Sequence, residues 1–132
     1  MTAPRDITIW LQDIQDATNE ALHFLGAVDL EHYLSDRMRC LAVERLLLLI
    51  GDAALKAGQQ DPAAMETLRD LPKIVALRNR IANGYWLTDH HLVHGLAERV
   101  LPDLLTDLQR LLERIDAGRA ESRYEAGETQ PD

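Results

Sequence analysis

Apolar residues recur at three- and four-residue steps almost throughout the chain, which is the period of a helix and not of a strand. Trp10, Ile14, Ala17, Ala21, Leu22 and Leu25 make the first stripe. Asp6 stands where an N-cap oxygen is needed and Gly26 where a helix can stop, so the pattern predicts a helix over 6–25. A short turn follows, in which Asp29 and Ser35 offer cap oxygens. Met38, Leu41, Ala42, Leu46, Leu49, Ile50 and Ala53 predict a second helix over 36–57, ended by Gly58. The apolar run from Leu46 to Ile50 covers more than one face. That helix is therefore expected to be buried on several sides, partly against a second subunit. A loop over 58–62 leads to a weaker helix over 62–68. Pro72 suits a first helical turn and opens 72–83, with Ile74, Val75, Leu77 and Ile81 before Gly84. Thr88 is the expected cap of a last helix over 88–117, whose face runs from Leu92 through Leu96, Val100, Leu104, Leu108 and Leu111 to Ile115. Pro102 lies within it and is expected to bend it.

From Gly118 onward almost nothing is apolar, so 118–132 is expected to be a disordered tail. No strand pattern, internal repeat or second domain is visible. The fold expected is all-α, an antiparallel helical bundle over 1–117.

Charge changes this picture more than size does. The chain has 132 residues and a net charge of −8. An acidic protein binds nucleic acid against phosphate repulsion, so any such contact needs a local basic patch or a second subunit that builds one. The single cysteine, Cys40, excludes a disulfide framework and a multi-cysteine zinc site. The longest apolar run is far short of a membrane span, and Met1 to Trp10 lacks a signal-peptide core. A cytosolic protein with no membrane partner and no cofactor is the expectation.

The most unusual stretch is Leu77-Arg78-Asn79-Arg80-Ile81-Ala82-Asn83-Gly84-Tyr85-Trp86. Cationic and amide groups crowd a helix end beside two aromatics. Arg78 and Asn83 could point into one cleft, with Tyr85 just beyond. An arginine grips phosphate through two donors, and a tyrosine adds a stacking surface and a hydroxyl. The bland reading is a solvated helix end with an asparagine before a glycine, and spacing alone leaves both open.

Three blocks carry a resemblance to a known family. Ala42 to Ala54, reading AVERLLLLIGDAA, resembles the "AVERxLxxIGEAA" helix of the HepT-like ribonucleases, which belong to the HEPN superfamily of helical toxins. Leu71 to Tyr85 is similar to their "hPxIxxxRNxhxHxY" segment, and Val100 to Leu104 to their "lPxL" block. The resemblance implies a metal-independent endoribonuclease toxin that forms a two-fold dimer, with two motif segments facing one groove. It puts Arg78 at the motif arginine, Asn79 beside it and Tyr85 at the motif tyrosine. Asn83 stands at the histidine position. An asparagine amide cannot carry a proton near neutral pH, whereas a histidine can. A weakened or inactive enzyme is therefore expected. A non-catalytic module that holds a nucleotidyltransferase or RNA is the alternative.

The resemblance further implies a nucleotidyltransferase partner, the MNT antitoxin, which adds AMP to the motif tyrosine, here Tyr85. Arg80, Lys73 and their copies in a dimer would supply the basic strip. Asp52, where the family often has glutamate, is expected either to orient a motif arginine or to be a solvated carboxylate.

The remaining candidates carry bland alternatives. His90 and His94 lie one turn apart and could share a metal, but no carboxylate or cysteine at a standard spacing completes the set, so no metal site is expected. Contact of this helix with RNA or the antitoxin is the other option. His23 is expected to be a half-buried core residue, Cys40 a small apolar filler and Trp10 a core aromatic. Trp86 could be core, a dimer contact or a base-stacking surface.

Overall fold

The computed structural model describes residues 5–84 and 88–127. Six helices follow in order: α1 (Ile7–Gly26), α2 (Leu30–Ser35), α3 (Arg37–Gln60), α4 (Pro62–Glu66), α5 (Leu71–Asn83) and α6 (His90–Glu125). No strand occurs among the described residues. Aspartates, more than glycines, punctuate the chain. Asp6, Asp29, Asp36, Asp61 and Asp89 each accept from a backbone N–H at the start of α1, α2, α3, α4 and α6. Gly127 alone of the described glycines has a positive φ. Gly58 therefore does not stop α3, which runs on until Asp61 becomes the cap of α4. The turn after α1 holds the one-and-a-half-turn helix α2, and Asp89 takes the capping role expected of Thr88.

Four long helices pack as a ring in which α3 touches α1 and α5, and α6 touches both. Their directions follow from contacts at their ends. Arg39 at the start of α3 donates to the Phe24 carbonyl at the end of α1, and Gln60 at the end of α3 donates to the Arg5 carbonyl before α1. Those two helices are antiparallel. Arg119 near the end of α6 binds Asp6 at the cap of α1, at 2.9 and 3.0 Å to its two oxygens. Arg69, just before α5, reaches the buried Asp107 of α6 with two 3.3 Å bonds. α5 therefore runs back along α6 and antiparallel to α3. The core between these helices holds Leu11, Ile14, Leu47, Ile50, Ile74, Leu101, Leu104 and Leu108, all essentially inaccessible. No helix is long and apolar enough to cross a membrane among the described residues.

The tail is the main correction to the sequence reading. α6 continues through Gly118 to Glu125, so 118–125 is helix where disorder is expected. These eight residues are exposed and pack on nothing apolar. Local propensity of Ala, Glu and Arg carries the helix, and the Arg119–Asp6 pair ties it back to α1. α6 also passes Pro102 as one helix.

The Asp6 carboxyl is held down to about 2, first by the Arg119 hydrogen bond and then by the cap bonds from Thr8. Its folded pKa lies below the unfolded value, so its contribution is present above the ordinary carboxylate range and is lost as pH falls through about 2. Amide protection in the first turn of α1, taken relative to the unfolded chain at the same pH, should fall between pH 4 and pH 2. In Asp6→Asn that step should be absent. An identical step in the variant would remove Asp6 as its cause.

Candidate active site

The candidate site is built where α5 crosses α3. Arg78 lies over Gly51, and a Cβ placed on Gly51 would stand 2.5 Å from Arg78 Cγ and 2.6 Å from its Cβ. The approach exists because residue 51 has no side chain. Asp52, next along α3, takes the guanidinium: Nε donates to Oδ1 at 2.9 Å and Nη2 lies 2.7 Å from the same oxygen. Nη1 donates to Asn79 Oδ1 at 3.1 Å. A guanidinium has five N–H donors, so at least two remain for a ligand. Arg78 is thus oriented by its neighbours and still has a free edge, with its side chain 26% exposed. That arrangement suits an anion such as a phosphodiester.

Asn83 is the last residue of α5 and is exposed. It lies one turn beyond Asn79 on the same side of the helix, so the two amides and Arg78 form one polar edge. Arg80 is also exposed, and it lines a small cleft between α5 and the start of α6 with Leu77, Ile81, Thr88, Asp89 and Leu92. Of the sequence-predicted residues, the structure brings Arg78, Asn79 and Asp52 into contact and puts Asn83 and Arg80 on the same helix. Tyr85 and Trp86 lie outside the described residues.

A second polar group lies between α3 and the start of α6, and sequence reasoning missed its centre. Glu44 of α3 is 7% exposed, and its Oε2 stands 2.8 Å from Nδ1 of His90, the first residue of α6. The approach is an ion-pair contact outside hydrogen-bond angles, so both atoms are buried without an aligned donor–acceptor bond. Tyr33 of α2 is fully buried against the His94 ring, with centroids 4.7 Å apart, and its hydroxyl has no hydrogen-bond partner among the described residues. Burial pushes the Tyr33 phenol well above its ordinary pKa, and the nearby Cys40 and Glu44 add to the shift. A sequence signal existed: Cys40, Glu44, Leu47 and Gly51 share one helical face, and a glutamate on such a face calls for a partner. Among the described residues, no group of three or more His, Cys, Asp or Glu side chains is arranged to hold a metal.

Cys40 is buried, as a core filler would be, and its thiol donates to the Tyr33 carbonyl at 3.2 Å. His23 is exposed and only edges against Phe24, so it is not a core residue. Its position one step off the Leu22–Leu25 stripe turns it outward. Trp10 is half-buried against the core, with the Arg5 guanidinium 4.0 Å above its ring.

Residues 14–111 match the family described as ribonuclease HepT-like. The chain belongs to that family. The match runs from the middle of α1 into α6 and includes the Arg78–Asp52 crossing, Asn83 and Glu44. Three proteins of Methanocaldococcus jannaschii are similar to it. The one named "Putative RNase MJ1380" is 24% identical over 107 residues, covering 80% of this chain and 95% of its own. Those named for MJ1216 and MJ0125 are each 22% identical over 114 residues, covering 85% of this chain and 92% and 96% of theirs. No solved structure matches the chain significantly.

In this HepT-like chain the arginine is posed by an exposed carboxylate, since the Asp52 side chain is 53% accessible. Such a pair contributes about 0–1 kcal/mol to stability. Asp52→Ala should therefore leave the melting temperature within a few degrees of the parent. Any RNA cleavage that depends on Arg78 should still fall about ten-fold, because the guanidinium is released to wander. Equal cleavage by the two proteins would make the pair an ornament.

Proposed function

We propose that the chain is an endoribonuclease toxin of the HepT type, attenuated by the asparagine at position 83. The observation that carries this reading is the posed guanidinium of Arg78, oriented by Asp52 and Asn79 with donors to spare at the end of α5. In the reaction, a ribose 2′-hydroxyl attacks the adjacent phosphorus and the 5′-oxygen leaves. Arg78 stabilises the negative charge that builds on the phosphate oxygens. Asn83 can hydrogen-bond there but cannot move the proton. The chemistry calls for no resident metal or cofactor.

The working unit in this reading is a two-fold dimer. Met38, Leu41, Leu49 and Leu55 make an exposed apolar stripe along α3, at 83, 45, 36 and 46% accessibility. Arg45 and Asp52 share that stripe, so a partner packed on it would bring two Arg78 groups toward one groove. This would concentrate cationic charge locally in an acidic protein and give RNA a place to bind.

The partner that restrains the toxin is an MNT-type nucleotidyltransferase antitoxin that adds AMP to Tyr85. Added phosphates would repel incoming RNA. Intact-mass spectrometry after co-expression with a cognate nucleotidyltransferase should give a shift of whole AMP units, absent from Tyr85→Phe. A shift that persists in that variant moves the modification elsewhere. Cleavage by Asn83→His, and its absence when Arg78→Ala is added, supports the nuclease reading. A folded Asn83→His protein that leaves RNA intact overturns it in favour of a non-catalytic binding module.

A further inference from the structure

We infer that His90, backed by the buried Glu44, is the proton carrier that serves this site while Asn83, which cannot, stands at the histidine position. The inference rests on the nuclease reading and adds the residues that move its proton. Three observations lead to it.

The first is register. Glu44 and Gly51 are seven residues apart on one face of α3, two turns or roughly 10 Å along its axis. Arg78 sits on Gly51. α5 is antiparallel to α3, so it carries Asn83 roughly 8 Å beyond Arg78 in the direction of Glu44. The Glu44–His90 pair therefore stands at about the level of Asn83, where the arginine's chemistry lacks a titrating group.

The second is geometry. His90 Nδ1 is buried and faces the Glu44 carboxylate at 2.8 Å, while the side chain as a whole is 31% exposed. The exposed part is thus the rest of the ring. A carboxylate facing Nδ1 orients the ring and leaves Nε2 as the nitrogen open to a substrate, the arrangement in which a carboxylate positions a histidine base. The contact lies off hydrogen-bond angles in the free protein, and such pairs commonly tighten only when substrate arrives.

The third is the burial itself. Glu44 is a carboxylate deep in a helical core whose partner among the described residues is His90, and an unpaired buried charge there is costly. Among the described residues, the charged group in contact with His90 is Glu44.

The step balances without a further reagent. His90 Nε2 takes the proton from the ribose 2′-hydroxyl as the O2′–P bond forms. The P–O5′ bond breaks, and the imidazolium returns the same proton to the departing 5′-oxygen. The products are a 2′,3′-cyclic phosphate end and a 5′-hydroxyl end. His90 is the catalytic residue in this scheme and Glu44 a positioning residue.

The test uses the unsubstituted 132-residue chain, called the parent below, with end-labelled, mixed-sequence single-stranded RNA, and Arg78→Ala as the background control. The parent should cut slowly. His90→Gln should lower that rate by about 10²-fold at a temperature where the variant is still folded. His90→Ala should be equally slow and should recover in part when free imidazole is added, which a merely structural histidine would not allow. Glu44→Gln should slow cleavage less than His90→Gln does, and Glu44→Asp should recover part of that loss. No cutting by the parent while Asn83→His cuts would overturn the role of His90 and leave the nuclease reading standing. Residual cutting that ignores His90→Gln, or a loss that imidazole does not repair, would also overturn it. No cutting even by Asn83→His would remove the nuclease reading itself.

Discussion

Asn83→His should raise RNA cleavage by about 10²–10⁴-fold, the usual worth of a general acid–base group. The change is nearly isosteric and Asn83 is exposed at the last residue of α5, so the fold has little to lose. Surface substitutions of this kind stay within about 0.5 kcal/mol. What changes is proton chemistry beside an arginine already posed by Asp52 and Asn79. Growth arrest on expression should appear with the same substitution and disappear when Arg78→Ala is added. The measurement is cleavage rate together with melting temperature. A folded variant that leaves RNA uncut would mean that Arg78 grips something other than a scissile phosphate.

Gly51→Ala should separate activity from stability more cleanly than any other single change. The new methyl would meet Arg78 Cγ at 2.5 Å and Cβ at 2.6 Å, distances at which something must shift. Overpacking of this kind costs about 1–3 kcal/mol. The gain from replacing a helical glycine is about 1 kcal/mol in the opposite direction. The net loss of stability is therefore small, about 0–2 kcal/mol, and a few degrees in melting temperature. The arginine nevertheless has to move, and a displacement near 1 Å costs about 10²-fold in rate. In the Asn83→His background, Gly51→Ala should thus lose most of its cleavage while remaining folded. Gly58→Ala is the control. That site meets nothing within 4 Å, so the propensity gain is unopposed and the protein should be slightly more stable with full activity. Similar cleavage by Gly51→Ala and Gly58→Ala would show that the close crossing does not pose Arg78.

Local signals read correctly wherever the physics was local. The three- and four-residue spacing predicted every long helix, because burying a stripe needs only that period. Asp6 capped α1 as expected, and Asp29 caps the short α2 in the turn where it offered an oxygen. The ends assigned to Gly26 and Gly84 held, and those assigned near Gly58 and Gly118 moved. Gly58 and Gly118 lie within helices because neither adopts the left-handed conformation that stops one, and a helix may pass through a glycine at modest cost. His23 went astray for a similar reason: one step of 100° around α1 separates a core position from an exposed one.

The candidate site divides in the same way. Arg78, Asn79 and Asn83 were legible as a dense polar helix end, and Asp52 was one of two open readings that the Arg78 contact resolves. Gly51 and the Glu44–His90 pair were not legible. Each depends on which face of α3 meets α5 and α6, and that is set by the packing of the whole bundle.

By itself the sequence determined the all-helical class, the caps, the core stripes and the family's polar edge at the end of α5. Periodicity, cap chemistry and motif spacing are properties of neighbours in the chain. The tertiary structure decided that α3 lies between α1 and α5, that Arg78 rests on a glycine and is turned by a carboxylate 26 residues away, and that Glu44 finds His90. Those are contacts between residues distant in sequence, created when helices close on a common core, and no local pattern encodes which residues will meet.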